Sequence, residues 1–126
     1  MVRILIVDDR PASRELERLM LESFGYEVME ASSGREAIAT ALHAIPDLVL
    51  LDLYMPELDG FRTLAEFQKQ QQLAGVPIVA LTASAMKGDD LRVLGAGFSG
   101  YITKPVFLHE FRDQIRRFLA QCSAAR

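Results

Sequence analysis

Hydrophobic residues concentrate in five short runs, and the segments between them carry apolar residues at every third or fourth position. Short runs rich in Val, Ile and Leu are typical of strands, whereas the longer spacing is typical of amphipathic helices. The predicted strands are residues 2–7, 26–31, 48–51, 78–81 and 98–102. The chain is therefore predicted to alternate strand and helix along its whole length.

The first predicted helix has Pro11 near its start and ends before Gly25, a residue suited to the position after a helix. Its apolar positions predict one face directed at the core, formed by Leu16, Leu19 and Met20. Its polar positions are predicted to face water: Arg14, Glu15, Glu17, Arg18 and Glu22.

The other helices have weaker boundary signals. The second opens with Ser33 and Glu36 at the spacing of a capping box, and Pro46 follows its end. The third is predicted over about 60–72, and the fourth lies somewhere within 86–95. The last helix carries an apolar stripe that we interpret as core packing and not as a cofactor site: Leu108, Phe111, Ile115 and Phe118.

The character of the strands predicts how they are arranged. The first, third and fourth are almost continuously apolar, as expected of parallel strands covered by helices on both faces, while the second is more mixed and suits an edge. Right-handed crossovers then favour an α/β fold with a doubly wound, five-stranded parallel sheet and helices on both faces. The simplest strand order is the flavodoxin-like 2-1-3-4-5.

Composition narrows the functional classes. The 126 residues suit one domain, and the net charge of -3, from 14 basic and 17 acidic residues without a basic stripe, disfavours nucleic acid as a partner. No apolar run approaches the roughly 20 residues that cross a membrane, so we expect a cytoplasmic protein with no membrane partner. Cys122 is the single cysteine, and together with His43 and His109 it gives no zinc-type spacing.

Polar residues follow four of the five predicted strands. Asp8 and Asp9 follow the first strand, Asp52 the third and Thr82 the fourth, and Lys104 comes within two residues of the fifth. Parallel strands place their carboxyl ends at one rim of the sheet, which is where ligands bind in such folds. We therefore expect these side chains to lie in one pocket.

Each of these residues also has an ordinary structural explanation when taken alone. Asp9 could cap a helix, Asp52 could belong to a turn and Thr82 could simply end a strand. Together, however, three carboxylates about 4 Å apart repel one another by roughly 4 kcal/mol per pair at an effective dielectric near 20. Lys104 can neutralise one charge, and a small hard cation such as Mg²⁺ suits the remaining oxygen ligands.

Four segments of the chain resemble the motifs of response-regulator receiver domains of two-component signal transduction. They are ILIVDD at 4–9, LLDLYMP at 50–56, LTA at 81–83 and YITKP at 101–105, and the resemblance covers nearly the whole chain. It implies a phosphorylation-dependent switch in which Asp52 accepts a phosphoryl group from a histidine kinase or phosphotransfer protein. The cofactor implied is Mg²⁺, held by Asp9 directly, by Asp8 largely through water, by Asp52 and by the backbone carbonyl of Tyr54.

The same resemblance assigns further roles. Lys104 would pair with the phosphoryl oxygens, and its bond to Pro105 would be cis. Thr82 would be the switch hydroxyl and Tyr101 the switch aromatic, although an ordinary surface aromatic remains the alternative for Tyr101. Asp52, Lys104 and Thr82 would act only on the domain's own phosphorylation and dephosphorylation, so we do not class the protein as an enzyme.

Output in this family commonly uses the face formed by the fourth helix, the fifth strand and the last helix. In this chain the expected face includes Met86, Lys87, Leu91, Phe98 and Tyr101. We expect the receiver domain to occupy 1–120 and residues 121–126 to be a short tail with no output domain, so that the signal passes to a downstream protein target or a homodimer. A stand-alone regulator and a receiver excised from a hybrid kinase both fit.

The resemblance also concerns the lifetime of the phosphoryl group. The positions of Tyr54 and Ser84 tune this lifetime in the family, and a bulky tyrosine favours a long-lived group.

Three rival interpretations remain. A flavodoxin-like mononucleotide binder would not place two carboxylates where a phosphate binds. A haloacid dehalogenase phosphatase would need an Asp-x-Asp pattern after the first strand, and the chain has Asp8, Asp9 and Arg10 there. A degenerate receiver used only for binding would usually lack part of this residue set.

Overall fold

The computed structural model describes residues 1–53, 55, 59–82 and 89–125, without the side chains of 89–92 and 122–125. Strands and helices alternate along it. The elements are β1 (Arg3–Val7), α1 (Pro11–Ser23), β2 (Glu27–Ala31), α2 (Gly34–His43), β3 (Leu48–Asp52), α3 (Gly60–Lys69), β4 (Ile78–Thr82), α4 (Asp89–Ala96), β5 (Gly100–Thr103) and α5 (Leu108–Ala125). A short 3-10 turn, Gln71–Leu73, follows α3.

The five strands form one parallel sheet in the order β2-β1-β3-β4-β5, which confirms the predicted topology. β2 lies at an edge, as its mixed composition indicated, and β3 and β4 are buried at every position. Asp52 pairs with Leu81 and Thr82 with Thr103, so the carboxyl ends of the last three strands lie at nearly the same height. This alignment creates the rim on which the site is built.

Residues of the strands point alternately to two separate hydrophobic cores, as the period of two in a strand requires. One core joins Ile4, Ile6 and their neighbours to α1 and α5. The other joins Leu5, Val7 and their neighbours to α2, α3 and α4. Helices cover both faces of the sheet, so the residues that point to either face can be apolar. This explains why the central strands do not alternate between apolar and polar residues.

The buried face of α1 differs from the predicted one. Leu16 and Leu19 are about half exposed, at 50% and 53%, whereas Glu17 is only 2% exposed. The stripe that faces the sheet is Glu17, Met20, Leu21 and Phe24. These positions have the spacing of a helical core stripe, but one of them is a glutamate. A stripe of apolar residues alone therefore did not identify the buried face.

Helix ends follow the sequence signals with small differences. Gly25 has φ of +95°, the left-handed conformation expected after α1. The Ser33 hydroxyl accepts a hydrogen bond from the Glu36 N–H at 3.2 Å, as predicted, but the Glu36 carboxylate bonds Ser32 and not the cap residue. In the α5 stripe Phe111 and Ile115 are fully buried, while Leu108, at the first turn, is exposed.

Gly60 lets α3 begin close against the end of β3, and this gives a first prediction. A Cβ at Gly60 would lie 2.7 Å from the Leu53 Cα and 2.8 Å from the Asp52 carbonyl oxygen, both of them backbone atoms. We expect Gly60→Ala to lower the free energy of unfolding by about 2 kcal/mol, measured by urea denaturation.

Gly95 offers a matched control within α4, because a Cβ there meets nothing within 4 Å. Gly95→Ala should be neutral or stabilise by up to about 1 kcal/mol, since alanine favours the helix. A Gly60→Ala variant as stable as Gly95→Ala would show that the start of α3 is not constrained as described.

Candidate functional site

The ends of four strands bring polar side chains to one rim of the sheet. Asp52 is the last residue of β3 and Thr82 the last of β4, while Asp8 directly follows β1 and Lys104 directly follows β5. The main-chain N–H of Lys104 donates to the Thr82 carbonyl at 2.7 Å. This hydrogen bond fixes the backbone of Lys104 beside the end of β4. The Lys104–Pro105 peptide bond is cis, as predicted.

Three carboxyl groups cluster at this rim. One oxygen each from Asp8, Asp9 and Asp52 lies within 4.8 Å of the other two. Asp8 is fully buried and Asp52 is 6% exposed, so water screens their charges poorly. The acidic pocket predicted from the strand ends is therefore present.

Lys104 brings a positive charge into the pocket. Its Nζ donates to the Asp8 Oδ2 at 2.8 Å and lies 3.5 Å from the Asp52 Oδ2. Burial lowers the pKa of Lys104, but the hydrogen bond to Asp8 and the surrounding carboxylates outweigh this effect and raise it overall. The side chain is therefore an ammonium ion at neutral pH.

Glu17 is a member of the site that the sequence did not reveal. Its Oε2 lies 3.8 Å from the Lys104 Nζ, although the helical pattern had predicted a solvent-facing residue. The pKa of Glu17 is raised to about 7, mainly by burial; Lys104 lowers it in part, and the charges of Asp8 and Asp52 add to the rise. The spacing of Met20, Leu21 and Phe24, extended one turn back, is the signal that points to position 17.

Asp9 distinguishes between a structural and a ligand-binding role for the cluster. α1 begins after Arg10 without a side-chain cap, so Asp9 does not serve as its N-cap. The buried Asp9 Oδ1 has no hydrogen-bond partner among the described residues, which is costly for a carboxylate. Asp8, in contrast, accepts from the Arg10 N–H at 2.9 Å as well as from Lys104. Oxygen donors in excess of one lysine fit a hard divalent cation such as Mg²⁺.

The remaining predicted residues are placed less centrally. Thr82 is buried at 2% exposure beside the acidic cluster, while Tyr101 lies on the edge strand and is 37% exposed. Phe98, predicted as part of an output face, is instead buried and stacks edge-to-face on Phe61 at 5.8 Å between ring centroids. Phe98 therefore belongs to the hydrophobic core that packs against α2, α3 and α4.

Several predicted positions lie outside the described residues. They are Tyr54, Ala83, Ser84, Met86 and Lys87, together with the side chains of Leu91 and Cys122. The metal-ligand role of the Tyr54 carbonyl, the lifetime roles of Tyr54 and Ser84 and most of the output face therefore stay predictions. No helix in the part of the chain that the structure describes is long and apolar enough to span a membrane.

The sequence model of the response regulator receiver domain matches residues 4–116. The chain belongs to this family. The receiver domain is 35% identical over 116 residues to the polar-differentiation response regulator DivK of Brucella ovis, covering 92% of this chain and 94% of that protein. The range matched by the family, 4–116, includes all four strand-end positions of the pocket.

Solved structures agree with the sequence match. The chemotaxis protein CheY4 of Vibrio cholerae superimposes on this receiver domain with a TM-score of 0.87 and 31% identity, over 93% of this chain and 98% of that one. The receiver domain of the sensor histidine kinase PA1611 of Pseudomonas aeruginosa gives 0.81 and 35%, over 95% of each chain. That structure has a magnesium ion coordinated in its active site cleft. Receiver domains of this family are signalling switches of two-component systems.

The raised pKa of Glu17 predicts a pH-dependent stability. The carboxyl titrates near 4.5 in the unfolded chain and at about 7 in the folded one, so the folded state binds the proton more tightly. This contribution to stability is complete below the unfolded pKa and is lost as the pH rises to the folded one. A shift of this size corresponds to roughly 3 kcal/mol.

The measurement is urea denaturation of the wild type and Glu17→Gln in EDTA across that pH range. We expect the wild type to lose stability relative to the variant as the pH rises. A difference between the two proteins that stays constant with pH would contradict the burial of an ionisable Glu17.

Proposed function

We propose that this receiver domain is a phosphorylation-dependent switch in which Asp52 accepts a phosphoryl group from a histidine kinase or phosphotransfer protein. The observation that carries the proposal is the position of the Asp52 carboxylate, which belongs to the acidic cluster and lies 3.5 Å from the Lys104 Nζ at the end of the central strand. The family membership and the DivK and CheY4 likenesses support it.

In the proposed reaction an oxygen of Asp52 attacks the phosphorus of phosphohistidine. The new O–P bond forms as the P–N bond breaks, and the electron pair of that bond stays on the imidazole, which takes up a proton. Burial of Asp52 keeps bulk water away from the resulting acyl phosphate. The protein is consumed stoichiometrically and acts only on its own phosphoryl group, so it is a switch and not an enzyme.

Mg²⁺ would be held by Asp8, Asp9, Asp52 and the main-chain carbonyl of Tyr54. When bound, it supplies positive charge that reduces the repulsion between the phosphoryl oxygens and the carboxylates. The magnesium ion in the cleft of the PA1611 receiver supports this assignment. The Lys104 ammonium has N–H groups to donate to a phosphoryl oxygen once Asp8 is shared with the metal.

The conformational switch would start at Thr82, the last residue of β4, which lies beside the site. A phosphoryl group adds acceptor oxygens, so the Thr82 hydroxyl gains a partner there. The hydrogen bond from the Lys104 N–H to the Thr82 carbonyl would couple a shift at the end of β4 to β5, the strand on which Tyr101 is exposed. The face of α4, β5 and α5 would then pass the signal from the domain, residues 1–120, to a cytoplasmic protein target or a second copy.

Phosphoryl uptake tests this function directly. After incubation with phosphoramidate or acetyl phosphate and Mg²⁺, intact-mass spectrometry should show the gain of one phosphoryl group on the wild type. Asp52→Asn and an EDTA-treated sample should show none, because they remove the nucleophile and the metal respectively.

Two results would contradict the proposal. Failure of the wild type to gain mass would favour a degenerate receiver that only binds partners. A gain that persists in Asp52→Asn would mean that another side chain is the acceptor.

A further inference from the structure

Glu17 is a buried acid that neither the acidic cluster nor the strand ends account for. It projects from the middle of α1, is 2% exposed and directs its Oε2 to within 3.8 Å of the Lys104 Nζ. Its other oxygen, Oε1, is buried and has no hydrogen-bond partner in the part of the chain that the structure describes. The side chain therefore enters the pocket from the helix layer, whereas the aspartates enter from the sheet.

Packing alone does not explain an acid at this position. The neighbouring members of the α1 stripe, Met20, Leu21 and Phe24, are apolar and pack on the core of the same sheet face. An aliphatic residue at position 17 would continue that stripe, whereas a carboxyl group with an unpaired oxygen costs stability. The feature that distinguishes Glu17 from its neighbours is its contact with Lys104.

The lysine ammonium lies among oxygens of three different side chains. Asp8 is at 2.8 Å, Asp52 at 3.5 Å and Glu17 at 3.8 Å from the Nζ. An ammonium group has three N–H donors and can satisfy partners in several directions. In the proposed function Asp8 is shared with the metal and Asp52 is modified, so Glu17 is the partner that neither event changes.

We propose that Glu17 is a positioning residue for Lys104, which it holds at the α1 side of the pocket in reach of the group arriving on Asp52. Glu17 does not touch the phosphoryl group and acts through the ammonium. This inference rests on the proposed function of Asp52 and deepens it. It gives α1 a role in positioning Lys104 in addition to its role in the scaffold.

Glu17→Gln keeps the size of the side chain and removes its charge, and Glu15→Gln is the matched control. Glu15 is on the same helix and its side chain is 66% exposed. With phosphoramidate and Mg²⁺, above the Glu17 pKa of about 7, we expect Glu17→Gln to be phosphorylated roughly three- to tenfold more slowly than the wild type. Glu15→Gln should match the wild type.

Two outcomes of this rate measurement overturn the proposal. An unchanged rate in Glu17→Gln would show that the carboxylate does not act on Lys104 during the reaction. A faster rate would show that Glu17 competes with the phosphoryl group for the ammonium and does not position it.

Glu17→Leu separates positioning from a structural role. Leucine completes the apolar stripe and removes one of the crowded carboxyl groups, so the melting temperature should rise while phosphorylation slows as in Glu17→Gln. A leucine variant that loses stability and rate together would overturn the proposal, because damage to the core would then explain the slow reaction.

A double-mutant cycle on stability tests whether Glu17 acts through Lys104. In EDTA, Glu17→Gln should be more stabilising in a Lys104→Met background than in the wild type, because without the lysine only repulsion is removed. Equal effects in the two backgrounds would overturn the proposal. A wild type that takes up no phosphoryl group refutes the proposed function, whereas normal uptake by wild type and Glu17→Gln alike refutes this inference alone.

Discussion

The ion pair between Lys104 and Asp8 is the interaction on which the rest of the site depends. It joins residues 96 positions apart in the chain at 2.8 Å, with Asp8 fully buried. The lysine brings a positive charge within 4 Å of carboxyl oxygens of Asp8, Asp52 and Glu17, so its loss would strengthen the repulsion among these groups in a poorly hydrated pocket. The carboxyl groups of the pocket outnumber the one positive charge that Lys104 supplies. This excess of negative charge favours the binding of a divalent cation.

The pocket follows from the sheet, and this explains how much of it could be predicted. Parallel strands must end at one rim, so Asp8, Asp52, Thr82 and Lys104 could be placed together from their positions after apolar runs. The same apolar runs predicted the strands of the sheet, and the rule that crossovers are right-handed predicted the strand order. The cis Lys104–Pro105 bond came from the resemblance to receiver domains.

What could not be predicted depends on contacts between layers. The helical pattern on α1 favoured Leu16 and Leu19 because they are apolar, whereas the fold buries Glu17, which lies 3.8 Å from a lysine that follows a distant strand. Phe98 is apolar beside an exposed edge strand, yet the ring of Phe61 on α3 covers it. In each case the deciding neighbour is far away in sequence, so local periodicity carries no information about it.

The central claim is that the acidic cluster is a divalent-cation site that Lys104 alone does not neutralise. Its most direct test is the free energy of unfolding in Mg²⁺ and in EDTA at equal ionic strength, for the wild type and for Asp9→Asn. The account predicts stabilisation of the wild type by Mg²⁺, about 2.7 kcal/mol at a hundredfold excess over Kd, and much less for Asp9→Asn. A wild type with the same stability in Mg²⁺ and EDTA would contradict it.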